Sequence, residues 1–380
     1  MIMKKSLIVQ AFTDRYHNKV RLLHLCDYLL FAVFCFAFLN NLQADLVSLT
    51  LMKVFHLPYL FVSGGIAFII TVLFLCLQIF LNRFVRLKGR VHAISFIPSF
   101  ILLTLFTNLV PSISIITFIP IVGALVIFVL LIVRPYHGIY KHDTFWTLLQ
   151  PSLLCMLICF LFVSLFSNTN DIFHYELKTE RKLIYNHQEA ALQVGQESLE
   201  SSHLLLSLRA YALSNQKKLG ERLFEYPIPL NDSDLFFSTD EFSRMICSEK
   251  FFQKKRLPIS LEELSQKVKL GSISPKDSVA ADYWLCTLLL EKKLDLFAQW
   301  LTKFYSISNA HINLPKHYCE ALILYNSLFI HPRLIYHSVS TEQNYEDFME
   351  LYNKYSTQIE RNNFTRRLYG NTYWWYYYFH

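Results

Sequence analysis

The sequence predicts an all-α integral membrane protein: about five transmembrane helices, then a soluble domain of helical hairpins. Three observations predict it. The first 166 residues hold four long apolar stretches with little or no formal charge. From about residue 171 onward, apolar residues recur with the 3.6-residue period of a helix, and strand signals are few. The charge is also divided unevenly. Residues 1–166 carry 12 Lys/Arg against 4 Asp/Glu, whereas residues 167–380 carry 24 against 25. The net charge of +7 therefore sits in the apolar half, as basic residues at membrane edges. The soluble half is neutral, which argues against nucleic acid as a partner.

A hydrocarbon core of ~30 Å needs about 20 apolar residues of helix. Leu22 to Leu42 meets this, interrupted by His24 and Asp27. Val54 to Asn82 and Thr144 to Asn170 meet it without a formal charge. Val91 to Val133 is 43 residues long, too long for one span. Pro111, flanked by Asn108, Ser112 and Ser114, marks a break in it, because proline lacks an N–H and disfavours helix in the residue before it. The expected order is a cytoplasmic N-terminal segment (1–21) and a membrane domain (22–166) with spans at about 22–42, 57–81, 91–109, 114–133 and 145–166. The first apolar run lacks a small-residue cleavage pattern and reads as a retained anchor.

Basic residues set the orientation. With the N-terminus in the cytoplasm, the inner segments hold Lys4, Lys5, Arg15, Lys19, Arg21, Arg83, Arg86, Lys88, Arg90, Arg134 and Lys141, and the outer loops hold only Lys53. Five spans then place residues 167–380 outside the cytoplasm.

The soluble half reads as paired helices with short polar joints at Asn186-His187, Ser214 to Lys218, and Glu291 to Leu294. Helical faces are traced by Leu294, Phe297, Trp300, Leu301 and Phe304, by Tyr318, Ala321, Leu322 and Tyr325, and by Tyr345, Phe348, Met349 and Tyr352. Ser260-x-x-Glu263 and Ser340-x-x-Gln343 have the form of capping boxes, and Ser274-Pro275 that of a helix start. Residues 227–275, with Pro227, Pro229 and Pro258, interrupt the rhythm as an irregular insertion. Pairing of this kind is how helical repeats stack.

Asp171 to Ser201, Leu219 to Pro227 (LGERLFEYP), Pro315 to Tyr325 (PKHYCEALILY) and Gly370 to Phe379 (GNTYWWYYYF) resemble a family of uncharacterised multi-span membrane proteins of Bacteroidetes-type bacteria. Those proteins carry a degenerate tetratricopeptide-like extracytoplasmic region. The resemblance covers roughly the last 210 residues. It implies an inner-membrane protein with a periplasmic domain, and it brings no activity and no catalytic residue.

No sequence motif requires a cofactor or metal. Nine glycines make a phosphate-cradling loop improbable. Ser214-x-x-Lys217 has the form of a penicillin-binding first motif, but no S-D-N or K-T-G follows, and it reads as a polar turn. Eight cysteines include no C-x-x-C. Cys155 and Cys159 share a helix face as a packing patch, and Gly64, Gly65 and Gly123 could allow close helix approach. Two features remain. His24 and Asp27, at i and i+3 in the first span, form a candidate intramembrane polar pair, with His92, His137 and His142 at the same edge. Tyr373, Trp374, Trp375, Tyr376, Tyr377, Tyr378 and Phe379 form an aromatic tail that needs a cover: its own domain, the lipid headgroups, or a partner chain.

The expected function is that of a membrane-anchored interaction or scaffold protein of the cell envelope, which binds a protein or peptide partner through its helical domain. The alternative is a membrane-embedded enzyme or transporter with a site near His24 and Asp27. Topology is directly testable. Alkaline phosphatase fused after His380 is expected to be active and a fluorescent protein dark; the reverse pattern means an even number of spans.

Overall fold

Helix accounts for all regular structure among the described residues of the computed structural model, which are 2–56, 64–85, 87, 89–109, 122–123, 144–229, 234–253, 260–271, 273, 278–305 and 314–380. The chain separates into two units, Met1–Asn170 and Asp171–His380.

In the N-terminal unit, α1 (Ile2–Ala37) runs into a π-helical turn at Phe38–Leu42, followed by α2 (Ala44–Lys53) and α3 (Gly64–Val85). A 3-10 segment, Gly89–Phe96, leads into α4 (Ile97–Thr107), and α5 spans Phe145–Phe166. His17–Leu42, Gly64–Phe84 and Phe145–Phe166 are long and apolar enough to cross a membrane. Their exposed faces are apolar. On α1, Leu22, Leu25, Leu29 and Val33 point outward while Leu23, Asp27, Phe31 and Cys35 are buried. On α5, Leu153, Leu157, Leu161 and Leu165 point outward, while Ser152 is buried. A helix with its polar groups inside and its leucines outside is arranged for hydrocarbon as solvent. Inside, rings interlock: Phe34 stacks on Phe160 at 4.2 Å and Phe31 meets Phe100 edge-on at 5.0 Å.

Several expectations change at this level. α1 is continuous from Ile2, so residues 2–21 are helical and run without a break into the expected first span. The expected span at 91–109 is only partly α-helical. Gly89, at φ +64°, makes the left-handed turn after α3 that a side chain would strain. Pro98, in the first turn of α4, has no N–H to extend the α ladder backward. Gly64 is not a close-approach site, since a Cβ there would sit 3.7 Å from Asn40, an ordinary contact. The expected span at 114–133 and its break at Pro111 lie outside the described residues, apart from Val122 and Gly123.

The C-terminal unit begins with three helical hairpins: α6 (Asp171–Ile184) with α7 (Gln188–Leu192), α8 (His203–Asn215) with α9 (Leu219–Arg222), and α13 (Ser278–Leu290) with α14 (Leu294–Phe304). Between the last two lie α10 (Thr239–Arg244), α11 (Glu249–Gln253) and α12 (Leu261–Lys269). Each hairpin turns the same way. Asn186, Lys217 and Lys292 take φ of 60°, 58° and 56°. In each case the next residue's N–H reaches five residues back: His187 to Lys182, Lys218 to Leu213, and Lys293 to Leu288. This is the Schellman closure, which satisfies carbonyls that a helix end leaves open. It falls on the joints read from the sequence. Tight packing follows: a Cβ on Gly220 would lie 2.5 Å from Cζ of Tyr318, so only glycine fits where α9 meets α15.

Helices α15 (Lys316–Leu328), α16 (Val339–Lys354) and α17 (Gln358–Tyr369) complete the core, and α18 (Tyr373–Phe379) is the aromatic tail. Leu301, Leu322, Tyr325 and Phe348 are fully buried. Trp300, expected beside them, is only half-buried, stacked on Phe304 at 5.6 Å with the Lys303 ammonium 3.9 Å from its ring centre. Ser260 caps α12 as expected, accepting from the Glu263 N–H. Ser340 does not cap, because α16 already starts after Ser338. The reciprocal box is instead Ser238 with Glu241, inside the irregular insertion. Ser274-Pro275 lies outside the described residues.

Removing most of a buried leucine side chain typically costs about 2–5 kcal/mol. Leu322→Ala is therefore expected to lower the melting temperature of a 171–380 fragment by several degrees in calorimetry. An unchanged transition contradicts the burial of Leu322 in α15.

Candidate functional site

The N-terminal unit buries a connected set of polar side chains where α1, α3, α5 and the 3-10 segment meet. Asp27 and His92 are both fully buried. His92 Nδ1 lies 2.8 Å from Asp27 Oδ2, and Ser152 donates its hydroxyl to Asp27 Oδ1 at 2.5 Å. The carboxyl group thus has a partner on each oxygen, as a buried polar group requires. With Nδ1–H donating to Asp27, His92 Nε2 is an acceptor. It faces Asn82 Nδ2 at 3.2 Å, and the same amide donates to the Tyr28 hydroxyl at 3.0 Å. Asn82 Oδ1 is buried and has no hydrogen-bond partner.

Helical geometry explains the convergence. His24, Asp27 and Tyr28 share one face of α1 by their i, i+3, i+4 spacing, and Gln78 and Asn82 share one of α3. One turn along α3, fully buried Gln78 donates to the Ser95 carbonyl at 3.1 Å and accepts from Ser99 at 2.5 Å. His24 joins the cluster through its ring, which stacks on His92 at 3.7 Å between centroids. The sequence named Asp27 and His24 as the pair; the carboxylate's partners are His92 and Ser152. Ser152 could not be singled out, because serine is common in membrane helices. Gln78 and Asn82 carried a usable signal, being polar at i, i+4 in a run without formal charge. His137 and His142 lie outside the described residues.

The three bonds could hold, donate or accept a proton. They do not form a nucleophilic triad, because Ser152 faces the carboxylate rather than the imidazole. Cys155 and Cys159 are buried one and two turns further along α5. All eight cysteines are free thiols. No group of three or more metal-ligating side chains occurs among the described residues.

In the C-terminal unit the aromatic tail lies against its own domain. Tyr373, Trp374, Trp375 and Tyr376 are buried, and Tyr377, Tyr378 and Phe379 are half-buried. The Glu320 carboxylate accepts from the Tyr373 N–H at 2.7 Å, and the Glu320 carbonyl accepts from the Trp374 indole at 2.8 Å. Tyr373 and Tyr376 donate to the carbonyls of Leu289 and Leu290, the last residues of α13, at 3.1 and 2.8 Å.

Beside the tail is a cleft of about 290 Å³, lined among others by Leu199, Tyr226, Arg366, Trp375 and His380. A second hollow of about 360 Å³ shares Leu199, Arg366, Trp375 and His380. The Arg366 guanidinium lies 5.1 Å from the Trp375 ring centre. Trp375 Nε1 and His380 Nδ1 are buried without hydrogen-bond partners. Burial, with Lys292 and Arg366 nearby, pushes the His380 imidazole down to about 4. Below Tyr226, fully buried Arg209 donates to the carbonyls of Val194 and Gly195 at 3.1 Å and so holds the 194–201 loop. Ser214 donates to the Ala210 carbonyl at 2.8 Å and Lys217 sits in a hairpin turn, which leaves the Ser-x-x-Lys motif as a joint.

Fold and polar centre together define an all-α protein with three helices able to span a membrane and a separate helical unit. The chain belongs to a family of unknown function (DUF6057), whose model matches residues 7–258 and 259–380. No curated protein and no solved structure matches it.

One ionic centre of the C-terminal unit has a pH signature. His203 lies 2.8 Å from both Asp234 and Glu241, and these hydrogen bonds, Asp234 first, push its pKa up to about 10. A folded-state pKa above the ordinary ~6.5 stabilises fully below that value and is lost as pH rises through about 10. The stability difference between wild type and His203→Gln, measured by urea unfolding of the 171–380 fragment, is expected to shrink over that window. A pH-independent difference overturns the assignment.

Proposed function

We propose that the protein is an envelope membrane protein whose helical C-terminal domain binds a peptide segment of a protein partner. The cleft beside the aromatic tail carries this reading. It combines a tryptophan face, an arginine stacked on it and unpartnered polar atoms, with Leu199 and Leu368 exposed at its margin. An extended peptide offers the matching chemistry: apolar side chains for the leucines, and backbone groups and carboxylates for Trp375 and Arg366. The repeated Schellman hairpins support a degenerate tetratricopeptide-like array, a class of fold that binds peptides on its surface; that step is analogy. The basic-residue asymmetry supports five spans in an inner membrane, with the N-terminus cytoplasmic and residues 167–380 periplasmic. The bilayer and an envelope protein are then the partners.

A photo-reactive benzoylphenylalanine placed at Leu199 or Leu368 of the full chain in native membranes tests the cleft. A discrete adduct is expected that weakens on Arg366→Glu and is absent with the probe at exposed Glu262. Equal labelling from all three positions overturns the reading.

A second reading has its own observation. The Asp27, His92, Ser152 and Asn82 cluster supports a membrane-embedded site, as in a transporter or membrane enzyme, since buried ionisable groups in spans commonly serve substrates or protons. Ser152→Cys in sealed vesicles tests for an aqueous path. Modification by a small charged methanethiosulfonate is expected if solutes reach the site, and protection counts against it.

A further inference from the structure

We propose that the Asp27–His92 pair is a one-proton binding site and that the Asn82 side-chain amide reverses when the proton binds. Such a proton site deepens the second reading above and rests on it for the apolar surroundings.

The amide that faces His92 Nε2 points to it. In the observed arrangement, Asn82 turns both N–H bonds to use, toward His92 Nε2 at 3.2 Å and Tyr28 at 3.0 Å. Its carbonyl oxygen, Oδ1, is buried without a partner among the described residues. The arrangement suits a neutral imidazole, whose Nε2 lone pair receives the amide proton. It does not suit an imidazolium, because Nε2–H would then face an N–H donor.

Half a turn of the Asn82 amide removes the conflict. Oδ1 then occupies the place of Nδ2. It accepts from His92 Nε2–H and from the Tyr28 hydroxyl, which can donate as well as accept. Oδ1 gains two donors, and Nδ2 takes the place that Oδ1 leaves. The balance is simple: a hydronium ion from the aqueous edge gives one proton, an N–H bond forms at Nε2, and water is left. Asp27 stays ionised and its bond to Nδ1–H becomes an ion pair. The site passes from a net charge of −1 to zero, which apolar surroundings favour.

The groups facing His92 come from three helices. From α1 these are Asp27, bonded to it, His24, stacked on its ring at 3.7 Å, and Tyr28, edge-on at 5.7 Å. α3 contributes neutral Asn82, and α5 contributes Ser152 through Asp27. Arg21 and Arg83, near these residues in sequence, are exposed. His24 is half-buried and lies against the face of the ring.

The test uses the full chain in liposomes, labelled with ¹⁵N-histidine, and solid-state NMR over a pH series. The His92 signal is assigned by its loss in His92→Gln. In wild type the Nε2 shift is expected to change from the neutral to the protonated position between about pH 4 and 9. Asn82→Leu removes the acceptor, and should move the midpoint down by about one pH unit or more. Asn82→Asp supplies a charged acceptor and should move it up. These opposite displacements are what a merely structural Asn82 would not produce. A Nε2 signal that never titrates, or the same midpoint in all three proteins, overturns the proposal. Variants are compared only where their melting in liposomes matches wild type; if Asn82→Leu does not, Asn82→Asp against wild type decides. A titrating His92 in a protein whose Ser152→Cys thiol is protected would retain the proton site and reject the solute pathway, so the two readings fail separately.

Discussion

A carboxylate buried among phenylalanines is destabilising unless donors reach both of its oxygens, and the N-terminal unit is arranged round that requirement at Asp27. His92 reaches one oxygen and Ser152 the other. Because His92 sits on the 3-10 segment and Ser152 on α5, one side chain sets the rotation of α1, the height of the 3-10 turn and the face that α5 presents. Asn82 adds α3 to the same centre through His92. Apolar packing alone specifies such a bundle weakly, since leucines slide past leucines. Directional bonds to one buried group reject other registers.

The C-terminal unit meets the same rule at its helix ends. Three hairpins close their own carbonyls by left-handed turns. The end of α13 has further acceptors at Leu289 and Leu290, and the hydroxyls of Tyr373 and Tyr376 bond to them. Tyrosine suits the place because an apolar ring fills the groove while its tip serves a carbonyl. The tail therefore satisfies backbone groups of α13 as well as covering the core. Glu320, bonded to the first N–H of α18 and 2.9 Å from His317 Nδ1, ties that helix to α15.

Much of the helical architecture was legible in the sequence. The joints at Asn186, Lys217 and Lys292 could be read because helical period stops there and polar residues intervene. α5 could be read end to end, since Thr144 and Ser167 flank an apolar run without a formal charge. The 3-10 stretch before Ile97 could not, because its residues keep the composition of a span while Gly89 and Pro98 decide its geometry. Of the polar centre, Asp27, His24 and His92 were conspicuous. Hydrophobicity flags a charge or an imidazole in an apolar run. It does not flag Ser152, or the contact that joins residues 27 and 92. Trp300 was misplaced because a stripe states which face turns inward but not how far the neighbouring helix extends over it.

The separation between Asp27 and Ser152, 125 positions along the chain, bears on how the protein is made. α1 leaves the ribosome first, and α5 is still untranslated at that moment. A carboxylate in an apolar helix is costly to insert, and neither of its donors has yet arrived. The polar contacts of α1 are therefore complete only when the 3-10 segment and α5 have come into place. Assembly of this unit is thus ordered: its first helix finds its last partner in its last one.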